Sequence, residues 1–127
     1  MREIKFRAWA KYENTMMPDF QLHPDFGLLT EDQRFITMQY TGLHDKNGKE
    51  IYEGDIVKCP NYPTESNPMG EPFFGIVIYQ HGAFCYQYET LYCESLISLY
   101  DGDEAYEDEV IGNIYENPEL LEVKCKE

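Results

Sequence analysis

The chain has 127 residues, 43% hydrophobic and 15% aromatic, with a formal net charge of −14. That length suits one domain, and the apolar and aromatic content excludes a disordered chain. The charge disfavours nucleic acid and anionic membranes as partners, because binding them depends on Lys and Arg neutralising phosphates.

Charge is also unevenly placed. Residues 1–60 hold 8 basic and 10 acidic side chains, while residues 61–127 hold 2 basic and 14 acidic, a net of −12.

In chain order, Arg2–Trp9 alternates, with Ile4, Phe6 and Ala8 on one side and Glu3, Lys5 and Arg7 on the other. Period-two alternation marks a half-buried strand. Tyr12–Thr15 reads as a turn into a short second strand at Met16-Met17. Pro18–Glu31 mixes Pro, Asp and Gly with single hydrophobes and reads as an irregular connection. Arg34–Thr41 is rich in β-formers and runs into Asn47-Gly48, a strong hairpin signal. Glu50–Tyr52 is the returning strand, Glu53-Gly54-Asp55 a second tight turn, and Ile56–Cys59 a strand ended by Pro60.

Asn61–Pro72, with Pro63, Pro68 and Pro72, reads as a long surface loop, of a length that points to function or mobility. Phe73–Tyr79 is near-continuously apolar and reads as a central strand; Phe84, Tyr86 and Tyr88 share one face of the next. Leu91–Tyr100 fits either a helical face or a strand edge. Asp101–Glu109 is an acidic run, Val110–Tyr115 a strand, and Asn117-Pro118-Glu119 the start of a short C-terminal helix.

The fold expected is mainly β: one unit over 1–127, with an N-terminal strand, hairpin and irregular connection over 1–38. An SH3-like small barrel follows over 39–127. No signal-peptide run or apolar stretch of membrane-spanning length is visible, so a cytoplasmic location is expected. Cys59, Cys85, Cys93 and Cys125 form no CxxC pair, which argues against zinc-ribbon and thioredoxin readings. Reduced thiols are expected, with Cys85 a small buried hydrophobe.

Three segments, Met1–Trp9 (MREIKFRAW), Tyr40–Val57 (YTGLHDKNGKEIYEGDIV) and Glu109–Leu121 (EVIGNIYENPELL), resemble the YopX-like family of phage and prophage proteins in order and spacing. The resemblance implies a phage-derived origin and an SH3-type barrel in the C-terminal part. It implies no activity, cofactor or site residue.

Candidate sites are few. Asp45, Asn47 and Gly48 echo a calcium loop, but the twelfth position from Asp45 is Ile56, so a hairpin turn is the better reading. His44-Asp45 and His23-Pro24-Asp25 place a base beside a carboxylate without any nucleophile nearby. No cofactor or metal is expected.

The one feature that invites a functional reading is the run of Asp101, Asp103, Glu104, Glu107, Asp108 and Glu109, either a solvated loop or a docking surface for a basic protein. The leading expectation is a non-enzymatic protein-binding module. A structural subunit that forms homo-oligomers is a second reading, and an enzyme with a composite site at His44, Asp45 and Asp55 a third.

Overall fold

The computed structural model describes residues 3–59, 65, 68–69, 72–80, 82–88, 92–95 and 108–120, with backbone alone at 73, 88 and 92–95. Among the described residues, nine strands carry the fold: β1 (Phe6–Ala10), β2 (Thr15–Met17), β3 (Phe35–His44), β4 (Glu50–Tyr52), β5 (Asp55–Cys59), β6 (Phe73–Gln80), β7 (Ala83–Tyr88), β8 (Tyr92–Ser95) and β9 (Glu109–Asn113). They form one sheet in the order β2-β1-β3-β4 and another in the order β8-β7-β6-β5-β9. Every pairing is antiparallel. The second sheet curls into a half-barrel, so the mainly β architecture agrees with the sequence expectation.

β3 joins the two parts. Its first half pairs with β1, from Phe35↔Ala10 to Gln39↔Phe6, and its second half pairs with β4 at Tyr40↔Tyr52 and His44↔Glu50. The boundary read at residue 38 therefore falls inside one continuous strand.

One apolar cluster spans the two sheets: Ile51 of β4 is buried with Val57, Cys59, Val77, Tyr86 and Val110 of the second sheet, and Leu43 of β3 and Phe84 of β7 pack against them. Burying each large apolar side chain stabilises by about 1.5–3 kcal/mol. On the first sheet Ala8 and Ala10 are buried, and their small side chains leave room for a cover.

The connection between β2 and β3 supplies that cover. Here the structure differs from the irregular connection expected: Phe20–Leu22 is a 3-10 turn and Phe26–Leu29 a single α-turn, α1. A four-residue helix does not persist alone in water. It is held because Phe20, which is 1% exposed, packs against Phe26 and Phe35 at ring distances of 5.7 and 5.8 Å, and Phe26 meets Phe6 at 5.2 Å.

Other details also depart from the sequence reading. The Asn-Gly turn is not a two-residue hairpin: β3 ends at His44 and β4 starts at Glu50, and Gly48 alone in the loop has positive φ (81°). Tyr92–Ser95 resolves the ambiguous stretch as a strand over those residues. Asn117 does not cap the C-terminal turn with its side chain; its Oδ1 accepts from the Asn113 N–H at 3.2 Å. Of the C-terminal helix, only Glu119 and Leu120 lie among the described residues.

Gly54 sits where the two sheets meet. It adopts φ +86°, donates its N–H to Val77 O at 2.8 Å and accepts from Ile114 N–H at 2.9 Å. An added Cβ would meet Met38 Sδ at 3.0 Å. Gly54→Ala is therefore expected to cost about 1–3 kcal/mol, from the strained backbone and the close sulfur together. Urea unfolding reads this directly, and an unchanged midpoint would contradict it.

Candidate functional site

The family-like segments converge on two buried carboxylates, and each has a definite structural partner set. The first is Asp55, 1% exposed, at the start of β5. Its Oδ1 takes a 2.7 Å bond from Arg7 Nη2 on β1, and its Oδ2 accepts the Tyr52 N–H at 2.7 Å. Arg7 also donates to Glu53 O at 3.1 Å and lies over the Tyr52 ring at 4.7 Å. Burial pushes the Asp55 carboxyl up, while the Arg7 charge and the hydrogen bonds pull against it.

The face of β1 that alternation assigned to solvent is thus a covered face. Two residues on, Trp9 stacks on Tyr115 beyond β9, with ring centroids 5.9 Å apart and planes at 22°. Arg7 and Trp9 together seat the N-terminal sheet on the half-barrel.

Asp45, 3% exposed, is the second carboxylate. Its Oδ1 accepts N–H bonds from Asn47 (2.8 Å) and Lys49 (2.9 Å), and its Oδ2 accepts the Val110 N–H at 2.9 Å. Lys46 N–H reaches Asp108 O at 2.9 Å. The loop between β3 and β4 is thereby stapled to the edge strand β9. Burial acts to raise the Asp45 pKa, but the three N–H bonds and Lys49 outweigh it and hold the carboxyl below its ordinary value.

The composite catalytic reading of His44, Asp45 and Asp55 therefore finds no support in the geometry. Asp45 and Asp55 are committed to different backbone segments. His44 is engaged by the Tyr40 hydroxyl, 3.2 Å from its Nε2. His23 accepts the Asp25 N–H on its Nδ1 at 3.0 Å, a turn contact and not a base aimed at a carboxylate. Around Tyr40 and Tyr52, Lys5 bonds Glu50 at 2.7 Å, which in turn accepts the Tyr52 hydroxyl at 3.3 Å. Burial, with the nearby Glu50 charge, pushes the Tyr52 hydroxyl up to about 12. Among the described residues, no group of three His, Cys, Asp or Glu is placed to hold a metal ion.

Of the acidic run, Asp101, Asp103, Glu104 and Glu107 lie outside the described residues. The other two are drawn into the fold. Asp108 is 9% exposed and accepts the Tyr86 hydroxyl at 2.9 Å. Half-buried Glu109 is in β9 and accepts from Asn47 Nδ2 at 3.4 Å. Neither belongs to an open acidic loop. A further correction concerns the cysteines: Cys85 is disulfide-bonded, while Cys59 is buried with its Sγ 4.0 Å from Val57 O.

Sequence reasoning missed Arg7 and Glu53. Glu53 accepts the Gln39 N–H at 2.8 Å, and burial raises its carboxyl despite that bond. The available signal was a strand, β1, that offers Arg and Trp at alternate positions, a combination suited to burial against another sheet.

Two outcomes follow. In Asp45→Asn the amide nitrogen would face the Val110 N–H, donor against donor, so a loss of about 1–3 kcal/mol is expected in urea unfolding. A neutral result would contradict the staple.

Glu53 is protonated more readily folded than unfolded. Its contribution to stability is therefore present at low pH and is lost as pH rises from the unfolded pKa through the raised folded value. Glu53→Gln keeps the acceptor for Gln39 and is expected to raise the thermal midpoint at pH 7, with the gain shrinking toward pH 4. A gain that grows toward pH 4 would contradict the assignment.

Comparison with known proteins identifies the frame in which these anchors sit. The chain is similar over 95% of its length, and over 99% of the other chain, to the crystal structure of protein EF1440 from Enterococcus faecalis, with 27% identity and a TM-score of 0.62. No curated protein matches it. The family model described as YopX protein matches residues 21–122, a span that holds Asp45, Asp55 and β9. The chain belongs to the YopX protein family.

Proposed function

We propose that this YopX-family chain is a phage- or prophage-borne accessory protein. In this reading it works in the host cytoplasm, without catalysis, by binding a basic partner protein through its acidic surface. One contrast carries the proposal. The acids in the family-like segments that looked most like site residues, Asp45 and Asp55, are saturated by backbone N–H groups and by Arg7. The chain nonetheless keeps a net charge of −12 over residues 61–127.

A charge surplus of one sign raises the association rate with oppositely charged partners and repels like-charged ones. Carboxylates displayed along a surface can also occupy a protein site that ordinarily receives phosphates. Asp101, Asp103, Glu104 and Glu107 are the acids assigned to this role. Asp108 and Glu109 are left out, because their carboxylates serve Tyr86 and Asn47.

The test is affinity capture from bacterial lysate at low and high salt, beside a variant carrying Asp101→Asn, Asp103→Asn, Glu104→Gln and Glu107→Gln. A basic protein is expected on the parent, released by high salt and absent from the variant, with the unfolding midpoint unaltered. Equal capture by parent and variant, or no salt-sensitive partner, would overturn the proposal.

A further inference from the structure

The connection from Pro18 to Arg34 does more than cover the first sheet. Its inward side chains, Phe20 and Phe26, are locked among Phe6 and Phe35, and Gln21 Oε1 accepts the Phe6 N–H at 2.8 Å. The same anchored turns hold Leu22 and Leu28 outward, each 75% exposed. Gly27, beside Leu28, has nothing within 4 Å of where a Cβ would stand. Leu22 and Leu28 are thus large apolar side chains displayed in water by two anchored turns of one short connection.

The charge along that connection has one sign. Residues 18–33 contain Asp19, Asp25, Glu31 and Asp32 and no Lys or Arg. Asp32 is paired with Arg34 at 2.7 Å, which holds its carboxyl down at about 2. Asp19 and Asp25 stand at the N-cap positions of the 3-10 turn and of α1, yet neither side chain makes a capping hydrogen bond. Asp19, Asp25 and Glu31 are all exposed. A second copy of this chain would bring the same acids and a net charge of −14 to the contact, so self-association is opposed.

We propose that this connection is a docking surface for a basic amphipathic segment of a partner protein. Leu22 and Leu28 enter the apolar face of that segment, while Asp19, Asp25 and Glu31 meet its Lys and Arg side chains. Such a segment supplies both halves of the match at once: an apolar stripe and flanking cations. The proposal rests on the reading that the protein binds a basic partner, and it gives that partner a second foothold, remote in sequence from residues 101–107.

Fluorescence anisotropy with the full chain tests it, using a labelled Leu/Lys peptide whose leucines recur at helical spacing and a scrambled peptide of the same composition. The amphipathic peptide is expected to bind about tenfold more tightly than the scrambled one. Leu22→Ser with Leu28→Ser, and separately Asp19→Asn with Asp25→Asn and Glu31→Gln, are each expected to weaken it by about tenfold without moving the unfolding midpoint.

Equal binding of the two peptides would overturn the proposal. So would retention of binding by both sets of variants while substitution of Asp101, Asp103, Glu104 and Glu107 abolishes it; the general charge reading would then survive without this site. A change of oligomeric state in the leucine variant, by light scattering, would assign the face to a second copy and overturn the proposal as well. If neither peptide binds at low salt, this site fails, while the charge reading still stands or falls on the lysate capture.

Discussion

A guanidinium and a carboxylate, both largely shut away from water, lock the first sheet to the second. The Arg7 and Asp55 side chains retain 12% and 2% of their exposure, and their bond is 2.7 Å. Charges taken out of water are costly, and their attraction offsets that cost only when geometry and further hydrogen bonds are good. Most of these are supplied here: the Tyr52 N–H on the free carboxylate oxygen, Glu53 O on the guanidinium, and the Tyr52 ring beneath it, while the buried Arg7 Nε is left without a hydrogen bond among the described residues. The pair fixes how Trp9 reaches Tyr115 and where the Gly54 turn runs between the strands. An apolar contact would tolerate sliding, whereas this one specifies a single seating.

The Asp45 staple applies the same logic at the other end. One carboxylate gathers three N–H groups from a loop and an edge strand, and so closes the half-barrel beside β9. Together the two acids explain why so much of the family-like sequence surrounds short turns. The turns are where strands of different sheets must be held in register. The function we propose draws on features away from these anchors, the surplus negative charge and the outward leucines of the β2–β3 connection.

Strand positions were legible because they depend on local features: period-two alternation in β1, β-formers in β3, and Gly48 and Gly54 at positive φ. The short helical turns at Phe20 and Phe26 were not, because their stability comes from Phe6 and Phe35, which are distant in sequence. Arg7 looked like a solvent-facing residue, since nothing in its neighbourhood announces Asp55, 48 positions on. Asp108 looked like one more member of a solvated run for a similar reason. Its environment is built by Tyr86, 22 positions earlier, whose hydroxyl finds a partner only once β7 and β9 share a sheet. Buried charges are set by tertiary partners, and a one-dimensional pattern carries little trace of them.

A double-mutant cycle on Arg7 and Asp55 tests the central claim most directly. Urea unfolding of Arg7→Met, Asp55→Asn and the double variant would be measured at pH 7. If the pair joins the sheets, each single change costs about 3–5 kcal/mol, because each leaves a buried charge or its partner groups uncompensated. The double variant then costs well under the sum, with a coupling energy of about 1–3 kcal/mol. Additive single effects, with a coupling indistinguishable from zero, would contradict the account and leave the seating of the sheets to apolar packing alone.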